Sequence, residues 1–294
     1  MITSLLLVLT FAPVGASSRH LERDEKSDEP IIARKISLHD EEVKKGGSYN
    51  LLSDLSRSNK IMKVGEKISD ESILRRRLRP RISIPKELDW RKRGFVTPSW
   101  NQKNCSACYA FSVAASIQAQ MFIKRGKYEP LSKQQIVDCS YNNGNLGCNG
   151  GTFLNTLLYV QRHGLMTEKD YPYDGNQSAC RFESNKVSAK IKFWNVLPAG
   201  DEDGLKTALA NYGPIPVAIN SRPETFKLYE KGIYDDPECT GHSMNHAVLL
   251  VGYTEDAWII KNWWSDEWGE SGYMYLKRGK NMCGISNYAV YVKA

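Results

Sequence analysis

Histidine is scarce in this chain: five occur in 294 residues, so chemistry that needs an imidazole has few places to reside. Long apolar runs are also lacking. The one pronounced stretch, Leu5 to Phe11, is too short to span a bilayer and is soon followed by charged residues. Nor is there a concentrated excess of one charge. Residues 17–83 carry 16 Lys/Arg against 12 Asp/Glu, and residues 84–294 carry 24 against 21. That dilution, with no zinc-finger or RNA-binding motif, argues against a nucleic-acid partner. Internal repeats and low-complexity tracts are absent, and a charged fraction of 25% with 41% hydrophobic residues describes an ordinary globular chain.

What is present divides in three. Residues 1–16 give an apolar core ending in Val14-Gly15-Ala16, the pattern of a secretory signal peptide, although a basic start is missing. Residues 17–83 form a charge-rich leader whose only aromatic is Tyr49 and which ends in Arg75-Arg-Arg-Leu-Arg-Pro-Arg81, a candidate processing site. From Asp89-Trp90 onward aromatics and cysteines become frequent, so residues 84–294 are expected to hold the folded domain. Its first half predicts helices: one after Cys108 (109–124), Leu131–Cys139 begun by a Ser132 cap, and Thr152–Arg162 stopped by Gly164. A further helix is predicted over Asp203–Tyr212. The second half predicts strands at Ile215–Ile219, His246–Tyr253, Ala257–Lys261, Gly272–Lys277 and Tyr288–Val292. The expectation is an α+β fold with a helical and a strand-rich subdomain and a cleft between them.

Seven cysteines in an exported chain leave one over once six have paired. Cys108 opens a predicted helix, where the positive end of the dipole favours the thiolate, the nucleophilic form. A nucleophile of this kind needs a base and a group to orient it. His20 and His39 lie in the leader, and His163 sits at a helix end beside Gly164, where a capping role is the plainer reading. His242 lies in a loop. His246 starts a strand, and the next strand, Trp258 to Asn262, would bring an amide oxygen beside its ring.

On these residues the chain resembles the papain-like cysteine proteases, most closely the cathepsin L branch. The resemblance rests on Cys105-Ser-Ala-Cys-Tyr109, with His246 and Asn262 lying 138 and 154 positions after Cys108. It extends through Asp89-Trp90-Arg91, Gly147-Cys-Asn-Gly-Gly151, Tyr171-Pro-Tyr173, Gly213-Pro214, Asn262-x-Trp264 and Trp268-Gly-Glu-x-Gly-Tyr273. It implies the papain fold, with a helical N-terminal half and a β-barrel-like C-terminal half. It also implies a thiol endopeptidase made as a zymogen, with Cys108 as nucleophile, His246 as base and later acid, and Asn262 as orienter. Gln102 would donate to the oxyanion together with the Cys108 backbone N–H. Gly150 and Gly151 would present a backbone edge to an extended peptide. Thr152, Phe153, Met244, Ala247 and Tyr288 would build the pocket for the second residue upstream of the cut, which a bulky Tyr288 would make shallow. Trp264 would shield the Asn–His contact and Trp268 would wall the leaving-group side.

By the same analogy the cysteines pair as Cys105–Cys148, Cys139–Cys180 and Cys239–Cys283. The implied partners are protein or peptide substrates and, as an inhibitor, the chain's own leader, a shortened form of the family's. No cofactor, metal or membrane is implied, and a monomer is expected in the lysosome or outside the cell. The polar sequon at Asn176 is a candidate glycosylation site.

The chain also departs from the family pattern. Lys103 and Ser106 replace glycines, Tyr109 replaces a tryptophan, and Trp263-Trp264-Ser265 stands where the family has Ser-Trp-Gly. None of these removes a catalytic group, so activity is expected. The rival is a weakly active or inactive binding protein on the same fold. A redox role for Cys105-x-x-Cys108 lacks its βαβ context. A zinc site pairing these cysteines with His242 and His246 would need to span 133 intervening residues.

Overall fold

The computed structural model describes residues 84–294. The signal segment 1–16 and the leader 17–83 lie outside the described residues. Everything that follows is built around one helix.

That helix, α1 (Cys108–Arg125), is buried from Cys108 to Met121 on every face. Its Ala and Ser side chains permit close approach, and it packs against helices on one side and sheet on the other. It ends where Gly126 takes φ 68° and returns its N–H to the Phe122 carbonyl, with Lys124 and Arg125 in the last turn facing the negative end of the dipole. The helical neighbours are α2 (Lys133–Cys139) and α3 (Phe153–His163). Ser132 caps α2 by accepting from the Gln135 N–H, and Thr152 caps α3 by accepting from the Asn155 N–H. Buried Gln135 then ties the layer together. Its Oε1 accepts from the Met166 N–H, and its Nε2 donates to Tyr159 and to the Gly164 carbonyl. A short ribbon, β2 (Leu165–Met166) with β3 (Val187–Ala189), closes this half.

The other half is a six-stranded sheet. It comprises β1 (Leu88–Asp89), β5 (Ile215–Ile219), β6 (Ile233–Tyr234), β7 (His246–Tyr253), β8 (Ala257–Lys261) and β9 (Tyr273–Lys277). The order is β1-β7-β8-β9-β6, with β5 also paired to β7. A second ribbon, β4 (Phe193–Val196) with β10 (Val290–Lys293), joins the sheet through a bridge from Ala289 to Val217. Helices α4 (Glu202–Tyr212) and α5 (Glu224–Lys227) flank it.

The expected strands at 215–219, 246–253 and 257–261 stand at those residues. Other boundaries shift: the helix expected from Leu131 begins at Lys133, that expected from Asp203 begins at Glu202, and the strand expected from Gly272 begins at Tyr273. Thr152 is the cap of α3 rather than its first residue, and the last strand begins at Val290, because residue 288 still serves the loop that meets β5. The two halves are also not sequential blocks. β1, from the start of the domain, pairs with the far end of β7 (Leu88 opposite Tyr253) and stitches the first residues onto the second half.

Candidate active site

Cys108 is the first residue of α1, and the helix begins without a side-chain cap. Ala107 occupies the N-cap and offers no acceptor. The first backbone N–H groups are therefore not consumed by a cap. Those of Cys108 and Tyr109 face the Cys108 sulfur, and so does the N–H of Ala247 from β7. Three backbone donors thus favour the thiolate. Cys108 is 4% exposed and is the free cysteine among the described residues. The other six form Cys105–Cys148, Cys139–Cys180 and Cys239–Cys283. Because Cys105 is committed to a disulfide, the Cys-x-x-Cys pair cannot ligate a metal.

His246 begins β7, opposite Ile219. The β7–β8 register puts Leu249 opposite Lys261, so the next residue, Asn262, emerges on the His246 end of the pair. Asn262 Oδ1 lies 2.7 Å from His246 Nε2 and accepts the Trp263 backbone N–H at 2.8 Å. A backbone N–H can only donate, so it fixes which end of the amide faces it. The Nε2 of His246 must then be the donor in its own contact, which leaves Nδ1 as the ring nitrogen free for proton exchange. Trp264 stacks on the imidazole at 4.9 Å between ring centroids, and Trp268 meets Trp264 edge-on at 5.4 Å. Trp264 thus covers one face of the imidazole, and Trp268 backs Trp264.

Protonation is a contest of two effects. Burial pushes the Cys108 thiol up to about 11 and the His246 imidazole down to about 4. The helix terminus by itself favours the thiolate. The structure adds an opposing desolvation that is larger for each group taken singly. Moving one proton from sulfur to imidazole creates both charges together, and their mutual attraction in a closed site offsets what each loses alone. The state of the pair therefore depends on geometry more than on either residue.

Gln102 approaches from the preceding loop. Its backbone N–H donates to the Trp263 carbonyl at 2.8 Å and its Nε2 donates to the Cys105 carbonyl at 2.9 Å. An amide nitrogen carries two hydrogens, so one remains for an oxyanion. Near the Cys105–Cys148 disulfide, Gly150 has φ 112° and open space where a Cβ would stand. Gly151 has no such space, since a Cβ there would come 2.6 Å from Asn145 Oδ1 and 2.7 Å from the Tyr109 ring. Buried Asn145 holds this loop by accepting from the Thr152 N–H and donating to Ser140 and Thr156. Sequence reasoning missed Asn145 and the Ala247 N–H, because neither a loop amide nor a backbone donor carries a motif.

Of the expected pocket residues, Phe153, Met244 and Ala247 are buried, and Phe153 stacks on Tyr288 at 5.3 Å. Thr152 spends its hydroxyl on the α3 cap. Trp268 is 9% exposed and donates its indole N–H to the Lys227 carbonyl. Among the departures, Tyr109 donates to the Gly147 carbonyl, Ser106 is exposed beside Cys105, and Lys103 reaches the Asp174 carbonyl from a backbone at φ 56°. His163 stacks on Tyr159 at the end of α3, His242 is exposed in its loop, and Asn176 is exposed. No group of three or more metal-ligating side chains is found among the described residues, and no helix among them is long and apolar enough to cross a membrane.

Comparison with known proteins agrees with this arrangement. The family model described as papain family cysteine protease matches residues 84–293. A cathepsin L-like peptidase of Aedes aegypti is 37% identical over 262 residues, covering 86% of this chain and 75% of that protein. Human cathepsin L2 is 40% identical over 220 residues, 71% of this chain and 66% of its own length. A solved cysteine protease of Carica candamarcensis, in complex with E-64, superposes with a TM-score of 0.66 at 34% identity over 71% of this chain and 98% of that one. The chain belongs to the papain family of cysteine proteases, in its cathepsin L-like branch, and has the α+β papain fold.

Proposed function

We propose that this papain-family chain is an endopeptidase that cuts peptide bonds through a thioester on Cys108. The reading is carried by one observation: the free cysteine among the described residues opens the uncapped start of α1, and the histidine that begins β7 has its Nε2 fixed by Asn262. The Cys108 thiolate attacks the peptide carbonyl carbon, forming a C–S bond, and the oxyanion is held by Gln102 Nε2 and the Cys108 N–H. As the C–N bond breaks, imidazolium His246 protonates the leaving amine. Water then attacks the thioester, His246 takes its proton, and the thiolate is released with the acid product.

An extended peptide would lie along Gly150 and Gly151, whose N–H and C=O groups include those of Gly151, engaged by no other backbone group of the loop. Its second residue upstream of the cut would enter the space bounded by Thr152, Phe153, Met244, Ala247 and Tyr288, with Trp268 on the leaving-group side. The stacked Phe153–Tyr288 pair supports a shallow pocket that favours Val or Leu over Phe. Residues 17–83 act as the zymogen leader, its removal leaves a monomeric domain of residues 84–294, and export after residue 16 sends it to the lysosome or beyond the cell. A glycan on exposed Asn176 is compatible with that route. The alternative of a weakly active binding protein draws on the burial that opposes ionisation of Cys108.

The deciding experiment expresses residues 17–294 with and without Cys108→Ala and assays a short fluorogenic peptide at acidic pH. Cleavage by the parent alone, with stoichiometric labelling of Cys108 by an epoxide thiol-protease inhibitor, is the expected result. Equal cleavage by both forms overturns the proposal, and a parent that neither cleaves nor labels favours the binding protein.

A further inference from the structure

Trp263 stands where the family pattern carries a serine, and it is 1% exposed. A buried indole N–H needs an acceptor. This one has two, one from the helical half and one from the sheet. Trp263 Nε1 lies 3.0 Å from the Ala247 carbonyl on β7 and 3.2 Å from Ser112 Oγ on α1. Ser112 in turn donates its hydroxyl to the Cys108 carbonyl at 2.9 Å. The ring packs on Phe111 of α1 at 5.4 Å between centroids. One side chain thereby ties the residue that carries the sulfur to the residue whose N–H faces that sulfur and whose neighbour is His246. A serine is too short to reach both acceptors.

We infer that the Trp263 indole is a positioning residue for the reaction proposed above: its shared N–H fixes Cys108 against Ala247 and His246 and so sets how readily the proton passes from sulfur to imidazole. It touches neither substrate nor the reacting atoms. Its effect runs through Ala247 and Ser112, and its signature is therefore a change in ionisation rather than in peptide affinity.

The test measures the pH dependence of Cys108 alkylation by iodoacetamide, together with kcat and KM on one peptide, for the parent, Trp263→Phe and Ser112→Ala. The phenylalanine keeps an aromatic ring against Phe111 but removes the donor together with part of the indole's volume, whereas Ser112→Ala removes the acceptor on α1, so the two variants are read together. The expected result for Trp263→Phe is alkylation at acidic pH slowed about tenfold, a midpoint moved to higher pH, and a matching loss in kcat with KM changed less than about twofold. Ser112→Ala should shift the profile in the same direction by less. Alkylation profiles that superimpose on the parent overturn the inference, even where melting temperatures fall. If Trp263→Phe does not fold, Ser112→Ala decides by the same criterion. A parent that is alkylated at acidic pH yet hydrolyses no peptide overturns the protease reading instead, and the alkylation profiles still judge Trp263.

Discussion

Asn262 Oδ1 accepts from His246 Nε2 at 2.7 Å, and the Nδ2 end of the same buried amide finds no partner among the described residues. One oxygen thus serves two contacts, the His246 ring and the Trp263 N–H, at the cost of an unsatisfied donor. Asn262→Ala is expected to lower kcat by roughly 10- to 100-fold, the weight of a hydrogen bond to a charged imidazolium, with KM nearly unchanged. Asn262→Asp would place a carboxylate beside the ring and raise the depressed His246 pKa, moving the alkaline limb of the kcat/KM profile to higher pH. A limb that moves to lower pH, or an alanine variant with full kcat, would refute the orienting role.

Lys261, the residue before Asn262, is 2% exposed and has no carboxylate partner among the described residues. Its Nζ donates to the Thr97 carbonyl at 3.2 Å and sits 4.7 Å over the Tyr273 ring. Burial, with the nearby Arg91 charge, pushes its pKa down to about 8. Because the unfolded chain holds this proton more tightly, the penalty is fully present below pH 8 and fades as pH rises from about 8 toward the unfolded value. Lys261→Met is therefore expected to be more stable than the parent at pH 5, by at most about 3 kcal/mol, with the advantage shrinking above pH 8. Urea unfolding at both pH values would expose the error if the advantage were equal at each.

Phe153 stacks on Tyr288, and in the proposed pocket for the second upstream residue that pair would limit depth. Tyr288→Ala should raise kcat/KM for a peptide with Phe at the second upstream position by about tenfold relative to its Val analogue, since an aromatic ring gains burial that the parent denies it. An unchanged Phe/Val ratio would place the selectivity elsewhere.

Ser265 occupies a family glycine position at φ 70°. A side chain there carries a left-handed penalty that glycine escapes. Ser265→Gly is thus expected to be about 1 kcal/mol more stable than Ser265→Ala, although both lose the hydroxyl that accepts from Glu267. Melting temperatures in the reverse order would count against strain at this turn.

Strands β5, β7 and β8 were legible because each is an apolar run bounded by turn residues, buried at every position. Strands β1, β2 and β6 hold two residues each, too few for any period to show, and β4 is largely exposed. At the site, Cys108, His246 and Asn262 could be picked out by residue type and strand adjacency. The Ala247 N–H could not, since any residue offers one. Trp263 was visible only as a departure from a pattern, because its role depends on two acceptors that the sequence places far apart.

The uncapped start of α1 carries a consequence for anyone who would engineer the protein. Ser, Thr, Asp or Asn at position 107 is the standard remedy for a bare helix terminus and is worth about 1 kcal/mol. Here its oxygen would claim an N–H from the first turn, where the Cys108 and Tyr109 donors face the sulfur. The most obvious thermostabilising change near the nucleophile is therefore the one that would blunt it, and Ala107 marks a point where sturdiness has been traded for reactivity.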